Sequence, residues 1–135
     1  MSESSCSPPP EAEVVTTGTA KLWIGEDGIL RVICLPGSVH GLAQAKENCA
    51  SIRHKHAKKI PALIDLRRIS VVTREAREFF GSPDNNGISA AALLVQSPLS
   101  RVIGNFFTGL SKMAVQHRLF TSESEAIGWL RGFLE

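Results

Sequence analysis

Apolar residues in this chain first recur at every second position: Ala20, Leu22 and Ile24. That is the period of a strand. Asp27-Gly28 follows, a strong hairpin signal because both residues tolerate positive φ. Residues 29–35 return as a second strand, and Pro36-Gly37 breaks it. The period then lengthens. Leu42, Ala45, Cys49 and Ile52 share one helical face, which predicts a helix over 39–56 with Ser38 as its cap. A short unbroken apolar run, Ala62-Leu63-Ile64, is stopped by Asp65; such a run marks a strand buried on both faces. Thr73 caps the next helix, with Glu75 in its first turn and Gly81 and Pro83 at its end. Residues 88–96 read as another buried strand, thin at Ala90, Ala91 and Ala92. Small side chains there let a helix pack closely. Ser97-Pro98 opens a helix whose stripe is Leu99, Val102, Ile103, Phe106, Phe107 and Leu110. Residues 113–120 form a short strand. Ser122 and Glu125 have capping-box spacing, and Ala126, Ile127, Leu130, Phe133 and Leu134 give the last helix an apolar face that runs to the C-terminus.

The predicted order is β-β-α-β-α-β-α-β-α. Strands separated by helices pair in parallel through right-handed crossovers, and only the first hairpin must be antiparallel. The expectation is an α/β domain with a mixed, mostly parallel sheet of about five strands, an N-terminal hairpin and four helices. The central strand ends at Asp65, and the loop after it lies where open α/β sheets place their sites. Residues 1–17 are rich in Ser, Pro, Glu and Thr and are expected to be a disordered tail before a single domain over 18–135. The hairpin leaves one strand edge open, so a homodimer is expected.

Composition narrows the class. Of 135 residues, 43% are hydrophobic and 21% charged, as in soluble globular domains. No apolar run reaches the roughly 18 residues of a membrane helix, and the N-terminus lacks the pattern of a secretory signal. Three cysteines, Cys6, Cys34 and Cys49, are scattered, which points to reduced thiols and a cytoplasmic location. The net charge of +2 is uneven: the three carboxylates of residues 1–17 leave +5 on the remainder. Much of that excess sits in Arg53, Lys55, Lys58, Lys59, Arg67, Arg68, Arg74 and Arg77; one reading is an anionic partner, the other a solvated loop and helix end, where cations complement the helix dipole.

The search for chemistry yields little. Asp65 is the best-placed carboxylate, yet no second carboxylate or metal partner accompanies it. It reads as a loop-ordering group that pairs with Arg67, Arg68 or a backbone N–H. Arg74, Arg77 and Arg101 could converge on an anion; the competing reading pairs Arg74 with Glu78 one turn on. His54 and His56 are two apart on a helix and cannot chelate one ion. No CxxC or HExxH motif occurs, so no metal is assigned. Gly104 to Ser111 has P-loop glycine spacing, but Leu110 stands where the Lys must be. No cofactor is assigned. Nucleic acid is disfavoured, because no interleaved exposed aromatics or recognisable module is present.

The chain resembles STAS domains, the SpoIIAA-like fold of anti-sigma-factor antagonists, and most of all the small, largely uncharacterised bacterial proteins of that fold. The resemblance rests on Trp23-Ile24 before Asp27-Gly28-Ile29, on Ile64-Asp65-Leu66-Arg67, and on Thr73-Arg74-Glu75-Ala76-Arg77. Ser100-Arg101-Val102-Ile103-Gly104-Asn105-Phe106-Phe107 adds to it. So does Arg118-Leu119-Phe120-Thr121 before Glu125-Ala126 and Trp129-Leu130. It covers about residues 18–135. It implies a non-enzymatic protein-binding module in bacterial signalling or regulation. Regulatory STAS domains carry an Asp-Ser-Ser run after the central strand, and its second Ser is phosphorylated. Here the run falls on Thr73-Arg74-Glu75, so Glu75 replaces the phosphorylatable serine and the switch does not carry over. The candidate partner- or anion-binding residues are Asp65, Arg67, Thr73, Arg74, Glu75, Arg77 and Arg101. The rival reading is a carrier or enzyme for a small anionic or lipid-like molecule, built on Asp65 and the arginines.

Overall fold

The computed structural model describes residues 13–55, 59–80, 88–96, 102 and 116–134. The strands are β1 (Val15–Thr16), β2 (Ala20–Ile24), β3 (Leu30–Cys34), β4 (Val39–His40), β5 (Ile60–Asp65), β6 (Val71–Val72), β7 (Ile88–Leu94) and β8 (Gln116–Phe120). The helices among the described residues are α1 (Leu42–Lys55), α2 (Arg74–Phe80) and α3 (Glu123–Arg131). One sheet has the order β1-β2-β3-β5-β7-β8, and β4 and β6 form a separate two-stranded sheet. The β1-β2 and β2-β3 pairs are antiparallel. β3-β5, β5-β7 and β7-β8 are parallel, as crossover connections require. No described helix is long and apolar enough to cross a membrane.

The hairpin forms where Asp27-Gly28 predicts it. Gly28 takes φ +82, a conformation that costs a glycine little. The Asp27 carboxylate accepts the Ile29 N–H at 3.1 Å and grips the Arg31 guanidinium with both oxygens. Burial pushes the Asp27 carboxyl up, but the bonds from Arg31 and Ile29 outweigh it and leave the group below the usual carboxylate value. Arg31 itself is buried in β3. A Cβ at Gly25 would stand 2.5 Å from its Nη1 and 2.8 Å from Asp27 Oδ1, so a side chain there would displace this ion pair.

β5 lies between β3 and β7, and its Ala62 and Leu63 are fully buried. On one face Cys34, Ala91 and Leu93 pack with Ala45 of α1, Ala76 of α2, and Leu66, Ile69 and Val72. On the other, Leu63, Ala90, Ala92 and Leu94 meet Ala126, Ile127 and Leu130 of α3. The alanines of β7 have the effect their size predicts: α3 packs directly over β7 and β5.

Four sequence expectations change. The main sheet has six strands, because Val15–Thr16 pairs with Lys21 and Leu22 of β2. This strand lies inside the segment assigned to the tail, and it occupies part of the hairpin edge on which the homodimer was argued. A buried polar network holds its far side. Thr17 Oγ1 donates to Asn48 Oδ1 at 2.6 Å, and Asn48 Nδ2 donates to Thr19 Oγ1 at 3.1 Å. The helix predicted from residue 39 starts instead at Leu42. Val39–His40 runs parallel to Val71–Val72, which suits β-branched valines. Ser38 is therefore not the cap: its Oγ meets His40 Nε2 at 2.9 Å, while Gln44 Oε1 accepts the Gly41 N–H at 3.0 Å. The last helix ends at Arg131 with Gly132 as its cap, short of the C-terminus. The helix predicted from Ser97-Pro98 to Leu110 lies outside the described residues apart from Val102, which is helical and 65% exposed.

Candidate functional site

The loop after β5 is where the sequence places the chemistry. Asp65 ends the strand and is only 5% exposed. Its Oδ1 accepts the Arg67 backbone N–H at 2.9 Å and Arg67 Nε at 3.0 Å; its Oδ2 accepts Arg67 Nη2 at 2.9 Å. Arg67 Nη2 also reaches Glu123 Oε1 at 3.2 Å. One guanidinium thus ties the end of the central strand to the first turn of α3. Asp65 orders the loop, and the partner is Arg67; the side chain of Arg68 is exposed. The Arg67 backbone N–H and two N–H groups of its guanidinium occupy both oxygens of this carboxylate. Burial, with the Asp65 charge behind it, pushes the Cys34 thiol up to about 12, so Cys34 stays a protonated core residue and not a nucleophile. No group of three or more His, Cys, Asp or Glu side chains among the described residues is placed to hold a metal ion.

The second predicted region is the start of α2. Thr73 Oγ1 accepts the Ala76 N–H at 3.2 Å, the capping bond its position predicts. Glu75 is exposed in the first turn. Arg74 pairs with Glu78 at 3.1 Å, one turn on and in solvent. The side chain of Arg77, and Arg101 altogether, fall outside the described residues. Within the described residues, then, Asp65 and Arg67 come together, and Thr73, Arg74 and Glu75 lie at the start of α2; the expected convergence of Arg74 with Arg77 and Arg101 falls outside the described residues.

The structure adds two features that sequence reasoning missed. First, the two-stranded sheet has opposite faces. His40 and Val72 point inward, whereas Val39 and Val71, which pair across the strands, are 54% and 44% exposed. Leu42, just beyond β4, is 39% exposed. The Thr73 N–H donates to the His40 carbonyl at 2.9 Å, which fixes this apolar patch beside the start of α2. The signal lies in Val71-Val72 ahead of the cap, whereas Val39 reads from the sequence as the start of a helix. Second, a cleft of about 280 Å³ opens at the carboxyl ends of β7 and β8, lined by Val95, Arg118, Leu119, Phe120, Thr121 and Glu125. Asp65 and Arg67 are not among its walls. The Arg118 guanidinium lies 5.4 Å from the Phe120 ring centre. Phe120 in turn leads an aromatic series, with Trp129 at 5.7 Å and Phe133 a further 4.9 Å from Trp129.

Topology and comparison agree on the class of protein: this is a SpoIIAA-like α/β fold. An uncharacterised protein of the DUF3478 family from Shewanella loihica PV-4, described as having that fold, is similar over 92% of this chain and 98% of its own. The TM-score is 0.58 and the identity 12%. The chain belongs to the family described as domain of unknown function DUF7793, whose pattern it matches over residues 22–134. A protein with unknown function from Arthrobacter sp. FB24 is 35% identical, over 86% of this chain and 95% of that one, with a TM-score of 0.35. No curated protein matches the chain.

Proposed function

We propose that this domain is a non-enzymatic protein-binding module, acting in bacterial signalling or regulation, that recognises its partner through β4, β6 and the start of α2. The observation that carries the reading is the exposure of Val39, Val71 and Leu42 beside the exposed carboxylate of Glu75. Scattered exposed apolar residues need no explanation; Val39 and Val71 pair across the strands and Leu42 follows two residues after β4, a grouping that suits an interaction site. Glu75 contributes a permanent negative charge. It is only a partial stand-in for a phosphate, which carries about −1.5 to −2 charges and three acceptor oxygens. The module is therefore constitutive in this reading and is not switched by a serine kinase. An enzyme or carrier built on Asp65 is disfavoured, because Arg67 already satisfies that carboxylate.

The test is quantitative capture from extracts of the source organism with three immobilised proteins: wild type, Val71→Asp and Glu75→Ser. Both substitutions are at exposed positions and should leave the thermal midpoint nearly unchanged. The partner held by wild type should be lost with Val71→Asp and reduced with Glu75→Ser. Equal capture by all three folded proteins would remove this surface from the function.

A further inference from the structure

We propose that the cleft at the carboxyl ends of β7 and β8 binds an α-amino acid with an apolar side chain, its carboxylate on Arg118 and its ammonium on Glu125. Two opposite charges line this cleft, and among the described residues neither is spent on the other. Neither takes part in the pairs Arg31–Asp27, Arg67 with Asp65 and Glu123, or Arg74–Glu78. Arg118 stacks instead on Phe120, a contact that orients a guanidinium without neutralising it. Glu125 is equally uncommitted among the described residues. Capping-box spacing would turn its carboxylate back to the Ser122 N–H, but only the other half of the box forms, with Ser122 Oγ accepting the Glu125 N–H at 3.3 Å. The other lining residues among those described are the apolar Val95, which is buried, Leu119 and Phe120, with the hydroxyl-bearing Thr121 beside them.

These walls select a ligand class by elimination. A simple anion would meet Arg118 but be repelled by Glu125; a simple amine would meet the reverse. A molecule with both charges and an apolar body satisfies all three surfaces. A volume of about 280 Å³ lies just below the roughly 300–1,000 Å³ of sites for drug-sized molecules, which suits leucine or phenylalanine and is too small for a long acyl chain. The position also agrees with the general placement of ligands at the carboxyl ends of strands in open α/β sheets. Both charges are solvated, so each should change affinity by at most about five-fold, and binding should be weak.

The experiment is an amide NMR titration of the whole chain with L-leucine and with two compounds that each lack one charge, 4-methylpentanoate and 3-methylbutylamine. Leucine should shift the amides of Leu119, Phe120 and Thr121 saturably, and each analogue should bind several-fold more weakly. Arg118→Gln should reduce leucine to the level of the amine, and Glu125→Gln to the level of the carboxylate. The absence of a saturable shift with leucine would overturn the proposal. So would 4-methylpentanoate binding as tightly as leucine, or unchanged leucine binding by both variants with otherwise intact spectra. None of these outcomes depends on the partner surface at β4 and β6.

Discussion

Arg67, just beyond the central strand, and Arg118, in the edge strand of the same sheet, meet opposite fates. Arg67, just past β5, reaches two carboxylates and is three-quarters buried. Arg118, within β8, reaches an aromatic ring and is exposed. Their neighbourhoods have similar composition, since each has a Glu from the first turn of α3 close by: Glu123 for Arg67 and Glu125 at the cleft that Arg118 lines. The difference is Asp65. A buried carboxylate at the end of the central strand demands a cation, and it recruits Arg67 into a closed network that is spent on the fold. β8, at the sheet edge, carries no such demand, and its Arg118 has no carboxylate partner among the described residues. Residue type and position at a strand end do not by themselves separate a site from a strut; the burial of the counter-charge does.

Removal of the strut should produce the largest effect. Arg67→Ala leaves Asp65 buried with one backbone N–H and no cation. A fully buried pair broken in this way costs about 3–5 kcal/mol. Arg67 is partly exposed and water can replace some of its contacts, so a loss of about 2–3 kcal/mol is expected in urea unfolding. A loss well under 1 kcal/mol would show that the network is peripheral, and the contrast with Arg118 would collapse.

This contrast also marks how far the sequence could be read. The hairpin at Asp27-Gly28, the buried run ending at Asp65 and the Thr73 cap are set by neighbours in the chain and are legible there, and the Arg74–Glu78 pair is legible as the competing reading of Arg74. Pairing of Asp65 with Arg67 was among the alternatives for the same reason. What escaped depends on contacts between distant segments. Thr17 and Asn48 are thirty-one residues apart, and no local pattern joins them, so β1 stayed hidden in a polar segment. Val39 looks helical until Val71 is placed beside it. The idle carboxylate of Glu125 has the spacing of a complete capping box, and only the geometry shows that half of it is missing.

The two-stranded sheet repeats the comparison on a smaller scale, with Val39 and Val71 turned to solvent and His40 turned inward. Burial lowers the pKa of His40 below its ordinary value of 6.5. The unfolded chain therefore takes up this proton more readily than the native one. The contribution of neutral His40 is complete above about pH 6.5 and is lost as pH falls below it. Unfolding free energies measured between pH 7.5 and 5.5 should decline, by less than the Arg67→Ala effect. His40→Gln, which keeps a polar partner for Ser38, should flatten that decline. An unchanged slope in the variant would show that His40 is not the inward group that titrates.

The smallest expected effect on stability belongs to the open cleft, and for that reason it is the most direct check of the comparison. Arg118 and Glu125 are both exposed and unpaired among the described residues, and neither fills space in the core clusters. Loss of the contact between Arg118 and Phe120 removes a cation–π interaction worth about 0.5–1 kcal/mol at an exposed site, and glutamine can still lay its methylenes on the ring. Arg118→Gln should therefore shift unfolding free energy by about 0.5 kcal/mol or less, and Glu125→Gln by no more. Glu125→Gln also removes a carboxylate from the first turn of α3, where the helix dipole favours negative charge, so its small effect should be destabilising and should shrink as salt is raised. A loss from Arg118→Gln as large as that from Arg67→Ala would mean that the two arginines are both struts. The cleft would then be a gap between structural groups and not a place held open for a ligand.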